Sequence, residues 1–399
     1  MNILIVEPYY TGSHAAWAEG YKKNSRHNVD ILSLPGRSWK WRMHGGAVTL
    51  ARDFLAGGLC PDLILATDML DLSTFAALTR PLSNTIPAAV YFHENQFTYP
   101  WHPDDRDRLR GRDSHYGFIN FVSALAAERV FFNSAFHLES FLRGLEGYLA
   151  RFPDFDRLFH IDNLRKKSSV LYVGMDFSAL DAAAEGVQPP LETLQKPPLI
   201  LWNHRWEYDK NPDEFFRALY VLMDRGLEFE VAVLGENFQG SPAVFKEARE
   251  RLGDRVLHFG FVQDLRGYAA WLKRADILPV TSRHDFFGCS VVEAIYSGCF
   301  PILPRALAYP EHLQYGEGDM EKMGGGEADE FRDRCFYDDF EGLVDSLEWS
   351  LLNIDIVRRT SFKAHVTRYG WPQMALVYDR EMEQAARAGP AGAKPAPAP

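Results

Sequence analysis

Short apolar runs recur along this chain with helix-length stretches between them, and the series breaks once and starts again. Asn2 to Glu7 reads NILIVE; Asp62 to Ala66, Ala88 to Phe92, Arg129 to Phe132 and Ser169 to Val173 follow. A Pro-rich polar stretch, 186–198, interrupts the pattern. The second series is Leu199 to Trp202, Glu230 to Leu234, Val256 to Phe259, Asp276 to Pro279 and Phe300 to Leu303. Runs this short and this continuously apolar suit strands buried on both faces of a parallel sheet. Helical stretches lie between them, notably Tyr116 to Ala127, Ala135 to Arg143, Asp213 to Arg225, Pro242 to Arg251, Leu265 to Arg274 and Ser290 to Ser297. Alternating strand and helix predict an α/β chain of two Rossmann-like, doubly wound domains. The expected layout is an N-terminal domain over 1–185, a linker over 186–198 and a C-terminal domain over 199–370. A helix over 371–387 is expected to pack back on the N-terminal domain. The tail, 388–399, is Ala, Gly and Pro with one Lys, and cannot build a core. Two such domains on one linker would face a central cleft, the usual place for a ligand.

The bulk numbers exclude some functions. The 399 residues suffice for two domains with a full core each. A net charge of -11 argues against a generic nucleic-acid binder, although it leaves room for a local basic patch. Four scattered cysteines without a CxxC pair read as reduced thiols, not a disulfide framework or a zinc site. No metal site is expected from spacing. The first residues turn polar too soon for a signal peptide, and no apolar run reaches the length of a membrane span. The expectation is a cytoplasmic enzyme without a membrane anchor.

Two segments of the second half carry chemistry. Strand LILW is followed by Asn203-His204-Arg205-Trp206-Glu207-Tyr208-Asp209-Lys210-Asn211-Pro212. Asn211 suits a cap and Pro212 the first position of a helix. Ligands of open α/β sheets bind beyond the strand C-termini. There the Arg205 guanidinium can grip phosphate oxygens and Lys210 can act as a point charge. An ordinary solvated turn fits the same spacing. The second segment runs from Ser282 to Glu293, SRHDFFGCSVVE, after strand DILP. Gly288 allows close backbone approach, and the start of the following helix favours an anion. Asp285 precedes that helix and Glu293 lies about two turns into it. Either they serve a sugar hydroxyl and a ribose diol, or Asp285 is an N-cap and Glu293 a satisfied helix residue.

The first half offers Gly12-Ser13-His14 after the first strand, as a flexible turn, and His93-Glu94-Asn95-Gln96 after AAVYF. Four polar residues at a strand end are not expected in a core. A hydrogen-bonded structural His remains open for His93. Ser38-Trp39-Lys40-Trp41-Arg42 interleaves rings and cations, and Arg106 to Arg112 is a basic run. Both suit a nucleic acid, and both suit plainer roles: one of Trp39 and Trp41 in the core, the run as a solvated loop. Asp154-Phe155-Asp156 mimics a DxD metal motif but stands apart from the other features.

The Arg/Lys pair with the acid-x7-acid segment resembles the retaining glycosyltransferases of the GT-B fold. Longer motifs narrow the likeness. HRWEYDKNPDEFF, VLGENF, HDFFGCSVVEAIYSGCFP and YPE, with ILIVEPYYTGSH, SLPGRSWKWR, YFHENQFTYP and HYGFINFVSALAAERVFFNSAFHLESF, are similar to the tRNA-queuosine α-mannosyltransferases. That resemblance spans Asn2 to about Glu311. It implies transfer of mannose from GDP-mannose to the cyclopentenediol of queuosine in a tRNA anticodon, tRNA-Asp being expected, with retention and without a cofactor or metal. It implies catalytic roles for Arg205, Lys210, Asp285 and His93. Donor binding falls to Gly12, Ser13, His14, Asn203, Arg205, Lys210, Gly235, Phe286, Phe287, Gly288, Cys289 and Glu293. Acceptor binding falls to Trp39, Lys40, Trp41, Arg42, Glu94, Asn95 and Gln96. The family's usual first acid is Glu; here it is Asp285. Two other readings fit: a GT-B transferase with a lipid, glycan or small-molecule acceptor, and a non-catalytic nucleotide- or RNA-binding protein.

Overall fold

The computed structural model describes residues 1–101, 105, 107, 114–152, 157–186, 196–236, 242–314 and 331–389. The tail beyond 389, Asp154 to Asp156 and most of the basic run 106–112 lie outside the described residues. Contacts divide the chain into two units, Met1–Met175 with Trp371–Pro399, and Asp176–Gly370.

The first unit holds β1 (Asn2–Tyr10), α1 (Gly12–Asn24), β2 (Asn28–Pro35), α2 (Trp39–Gly57), β3 (Leu63–Thr67), α3 (Leu72–Ser83), β4 (Ala88–Phe92), α4 (Ser114–Ala126), β5 (Arg129–Phe132), α5 (Ala135–Leu149), α6 (Arg157–Lys167) and β6 (Ser168–Val170). Its sheet is wholly parallel, in the order β2-β1-β3-β4-β5-β6. Leu4, Val6, Ile64, Val90, Phe92, Val130 and Phe132 from its strands share one core with Leu50, Phe54, Phe121 and Phe141 from the helices. Burial of this kind stabilises by roughly 1.5–3 kcal/mol per large side chain.

The second unit holds α7 (Phe177–Ala183), β7 (Leu199–Trp202), α8 (Pro212–Asp224), β8 (Glu230–Leu234), α9 (Val244–Leu252), β9 (Val256–Gly260), α10 (Leu265–Arg274), β10 (Ile277–Pro279), α11 (Cys289–Ser297), β11 (Phe300–Pro304), α12 (Tyr309–His312), β12 (Phe336–Tyr337), α13 (Phe340–Leu352), α14 (Ile354–Arg359) and α15 (Lys363–Thr367). The sheet order is β12-β11-β10-β7-β8-β9, again parallel.

Helix α16 (Trp371–Ala388) returns to the first unit. The Trp17 indole donates to Tyr378 Oη at 2.9 Å, the Tyr21 hydroxyl donates to Asp379 at 3.0 Å, and Arg129 donates to Glu381 at 3.0 Å. Gly174 is needed beside it: a Cβ there would lie 2.4 Å from the Trp371 ring. The contacts divide the chain at Met175, ahead of the 186–198 stretch. The reason is α7, whose Phe177 ring stacks on Tyr296 of α11 at 3.8 Å.

The order in each sheet reverses once. In the first it reverses between β1 and β3; in the second, between β7 and β10. Ligands of doubly wound sheets bind beyond the strand ends at such a point. Among the described residues no helix is long and apolar enough to cross a membrane.

Candidate active site

In the second unit the crevice position falls on Asn203 after β7 and on the turn after β10. Lys210 lies there, only 7 % exposed. Its ammonium donates to His284 O at 2.9 Å and to Asp285 Oδ1 at 2.9 Å, and Asp209 Oδ2 stands 3.2 Å away. Burial disfavours the charge on Lys210, yet Asp285 and Asp209 overcome it and raise its pKa. Asp285 moves the other way. Burial would lift it, but Lys210 chiefly, with the Tyr309 hydroxyl, holds it at about 2. Two hydrogen bonds and the Asp209 carboxylate thus surround Lys210, so a ligand phosphate either displaces a carboxylate or feels the charge through space.

Arg205 differs. Its side chain is half exposed and lies 3.2 Å from Glu207 Oε2. The two cations that sequence treats as a pair sit in opposite environments, one buried and clamped, one at the surface.

Glu293 is fixed from the sheet side. The Tyr268 hydroxyl donates to Glu293 Oε2 at 2.8 Å, and Asn203 Nδ2 reaches Tyr268 Oη at 3.3 Å and Ser290 O at 2.8 Å. Burial raises the Glu293 pKa, against the Tyr268 hydrogen bond. Gly235 supports the first turn: with φ +125°, a Cβ there would meet His204 O at 2.0 Å. Burial pushes His204 down to about 4, so its ring is neutral near pH 7.

The N-cap of α11 is Gly288, in the left-handed region at φ +83°, so Asp285 is not a cap. Asn211 is the N-cap residue of α8 and Pro212 opens the helix, as expected; the Asn211 side chain makes no cap hydrogen bond to the backbone and instead, left-handed at φ 53°, donates to Glu214 Oε2 at 2.7 Å. Phe286 and Phe287 are buried, Phe286 edge-on to His284 and Phe287 against His312 and Tyr369, so only their backbone can meet a donor. The first N–H groups of α11, around Cys289, have no partner inside the helix and suit an anion.

In the first unit the corresponding place gathers Glu7, His14, Asp68 and His93. Gly12-Ser13-His14 is the start of α1 and not a free turn; Gly12 has φ +50°. His14 Nδ1 lies 2.9 Å from Glu7 Oε2, and its ring is 4.2 Å from that of His93. Burial opposes a charge on His14, but Glu7 lifts its pKa to about 9. Burial, with His14 beside it, lowers His93 well below its ordinary value. The His93 N–H donates to Asp68 Oδ1 at 2.8 Å. Glu7, His14 and His93 each place one ligand-capable atom within 4.8 Å of the others. These are the described residues able to hold a metal ion, and residues spaced this widely escape any motif search.

Asn95 and Gln96 are buried, against expectation. Asn95 Oδ1 accepts from the N–H groups of Phe97 and Thr98, which ties the turn together, and Gln96 donates to Glu94 at 3.0 Å. Their polarity serves the turn. Trp39 packs on Trp101 and Tyr116, and Lys40 is held by Asp105 at 2.7 Å and Asp107 at 2.6 Å. Trp41 is 65 % exposed, and Arg42 donates to Pro35 O at 3.1 Å. Of that segment, Trp41 and Arg42 are the pair open to a ligand.

Buried polar atoms without a hydrogen-bond partner occur at both switch points, as they do elsewhere in each unit. They include Thr67 Oγ1, Asp68 Oδ2, His93 Nε2 and Asn95 Nδ2 in the first unit, and Asn203 Oδ1 and His204 Nε2 in the second. Each costs about 1–3 kcal/mol when left unmet, so those at the strand ends are groups that a ligand there can satisfy. Sequence reasoning did not find Glu7, Asp68, Asp209, Tyr268 or Tyr309. A lone acid inside the apolar run NILIVE was the available signal for Glu7, since an unpaired acid is rarely buried.

Residues 2–175 match the family model described as tRNA-queuosine alpha-mannosyltransferase N-terminal, and residues 197–334 match that of glycosyl transferases group 1. The chain is 35% identical over 314 residues to the tRNA-queuosine alpha-mannosyltransferase of Drosophila melanogaster, covering 78% of this chain and 81% of that one. It is 25% identical to the GDP-mannose:cellobiosyl-diphosphopolyprenol alpha-mannosyltransferase of Xanthomonas campestris, over 51% of this chain and 50% of the other. Among solved structures it resembles sucrose-phosphate synthase from Thermosynechococcus elongatus, with a TM-score of 0.67 at 14% identity, covering 97% of this chain and 100% of that one. It also resembles the N-terminal domain of trehalose-6-phosphate phosphatase from Candida albicans, with a TM-score of 0.68 at 13% identity, covering 96% and 97%. Fold and family models together define a glycosyltransferase of the GT-B fold. Within that class, the chain belongs to the tRNA-queuosine alpha-mannosyltransferase family.

Proposed function

We propose that this chain is a cytoplasmic, retaining mannosyltransferase that moves mannose from GDP-mannose to the cyclopentenediol of queuosine in a tRNA anticodon, tRNA-Asp being the expected substrate. The observation that carries the reading is the Arg205, Lys210, Asp285 and Glu293 constellation at the switch point of the second sheet. Family membership supports the acceptor.

In this reading the second unit serves the donor. Arg205 meets the diphosphate, the start of α11 adds backbone donors, and Lys210 supplies a fixed positive field where charge grows on the leaving phosphate. Glu293, with one oxygen held by Tyr268, offers the other to a ribose diol. Asp285 meets a sugar hydroxyl. The first unit serves the acceptor and the transferred sugar, through His93, Glu94, Trp41 and Arg42. The new bond from the acceptor oxygen to the anomeric carbon forms on the face from which the phosphate oxygen departs. The acceptor proton passes to that phosphate oxygen. No metal is needed, because Arg205 and Lys210 carry the positive charge.

Donor choice and metal independence are tested together. GDP release is measured with GDP-mannose, GDP-glucose and UDP-glucose in the presence of queuosine-bearing tRNA, with and without EDTA. Turnover confined to GDP-mannose and indifferent to EDTA is expected. Loss of turnover on chelation would reassign Glu7, His14 and His93 as metal ligands.

A further inference from the structure

Asp285 is one carbon shorter than the glutamate usual at its place, so its position depends on what grips it. Its two oxygens are gripped separately. Oδ1 accepts from Lys210 at 2.9 Å, and Oδ2 accepts from the Tyr309 hydroxyl at 2.5 Å. Tyr309 is fully buried, on the short helix α12 that follows β11.

The same helix carries the rest of the turn. A Cβ on Gly288 would lie 3.2 Å from Tyr309 Cε1, so the ring backs directly onto the residue that opens α11. One turn further, His312 Nε2 lies 2.6 Å from Phe287 O, and its Nδ1 lies 3.2 Å from Tyr369 Oη. Burial lowers His312 to about 4, so the ring is neutral and its Nε2–H can donate to that carbonyl. The acid and the start of the anion-binding helix therefore rest on one support.

We propose that Tyr309 is a positioning residue for the transfer reaction, setting the Asp285 carboxylate so that one oxygen holds Lys210 while both keep a lone pair for the donor. Tyr309 touches no ligand in this account. It acts through Asp285, and its hydroxyl makes up for the shorter side chain. A carboxylate has about four accepting sites, and Lys210 and Tyr309 use two of them. Without the phenol, Asp285 is free to swing toward Lys210 alone, and the charge at the leaving phosphate is no longer fixed in place. That loss falls on the transition state more than on donor binding, because Arg205 and Glu293 still hold the nucleotide. The inference rests on the mannosyl-transfer reading above.

The test is steady-state transfer from GDP-mannose to queuosine-bearing tRNA by wild type and Tyr309→Phe, with thermal melts of each. A hydrogen bond to a charged group sets the expected scale, so Tyr309→Phe should lose about tenfold in kcat. Its KM values for donor and tRNA should stay within about twofold, the pattern of an interaction lost only in the transition state. A kcat equal to wild type, or a loss confined to donor KM, would overturn the positioning role. If Tyr309→Phe melts below the assay temperature, the comparison is made at a temperature where it is folded, and the same split between kcat and donor KM decides. A kcat loss at unchanged donor KM supports the proposal; a donor KM rise at unchanged kcat overturns it. A wild type that transfers nothing overturns the functional reading itself, whereas an active wild type with an unimpaired Tyr309→Phe overturns only this inference.

Discussion

Lys210 Nζ, almost wholly buried, stands 2.9 Å from Oδ1 of Asp285, whose side chain is 17 % exposed. Asp209 Oδ2 closes the group at 3.2 Å. Removing one member of such a group leaves buried charge without its partner, a cost of roughly 3–5 kcal/mol. Lys210→Ala is therefore expected to lose turnover and to melt well below wild type. Arg205→Ala should lose most of its turnover with its melting temperature unchanged, because an exposed ion pair contributes little. Thermal melts beside kinetics check this; equal melting temperatures for the two variants would contradict it.

The Glu7–His14 pair gives the first unit a pH dependence with a definite sign. His14 is raised from its ordinary 6.5 to about 9, against its burial and because of Glu7. A raised histidine adds stability that is complete below its unfolded pKa and is lost as pH rises through its folded one. The window is therefore pH 6.5 to 9, with stability falling upward. Melting temperatures across that range should fall more steeply in wild type than in Glu7→Gln. Parallel curves would contradict the assignment.

Gly235 holds the β8 end against the turn that begins at Asn203. Its φ of +125° and the 2.0 Å approach of a Cβ to His204 O leave no room for alanine. Gly235→Ala should cost about 1–3 kcal/mol in backbone strain and lower affinity for the nucleotide. GDP titration by calorimetry reads the second effect. Unchanged affinity would place the His204 turn outside the donor site.

Trp39 and Trp41 should separate cleanly. Trp39 packs between Trp101 at 5.8 Å and Tyr116 at 5.1 Å, whereas Trp41 projects from the same helix with its ring exposed. Trp39→Ala is expected to lower stability by on the order of 2 kcal/mol. Trp41→Ala should leave stability alone and raise the tRNA KM, as loss of a stacking ring does. A tRNA KM unaffected by Trp41→Ala would remove that ring from the acceptor site.

The two sheets were legible because each buried strand advertises itself: LILW, EVAVL, AAVYF and RVFF fall where expected. β2 was not, since NVDILSLP mixes polar residues into an edge strand. Arg205 and Asp285 were legible as polar residues directly after strands. Their environments were not. Lys210 reads as another surface cation until the fold brings Asp285 to it from 75 residues away. Glu7 lies in β1 and His93 follows β4, and both meet at His14; Tyr309 reaches Asp285 across the β11 crossover, so no local spacing reveals either gathering. Gly12 misled in the other direction: a glycine directly after β1 suggested a flexible turn, and at φ +50° it opens α1.

The central claim is mannose transfer to queuosine, and nucleoside mass spectrometry tests it most directly. The full chain is incubated with GDP-mannose and either queuosine-bearing tRNA or the same tRNA with guanosine at that position. The expected result is a queuosine nucleoside heavier by one hexose, only in the first sample, and much reduced with Arg205→Ala. Transfer to both tRNAs, or to neither while GDP is released, would contradict the account.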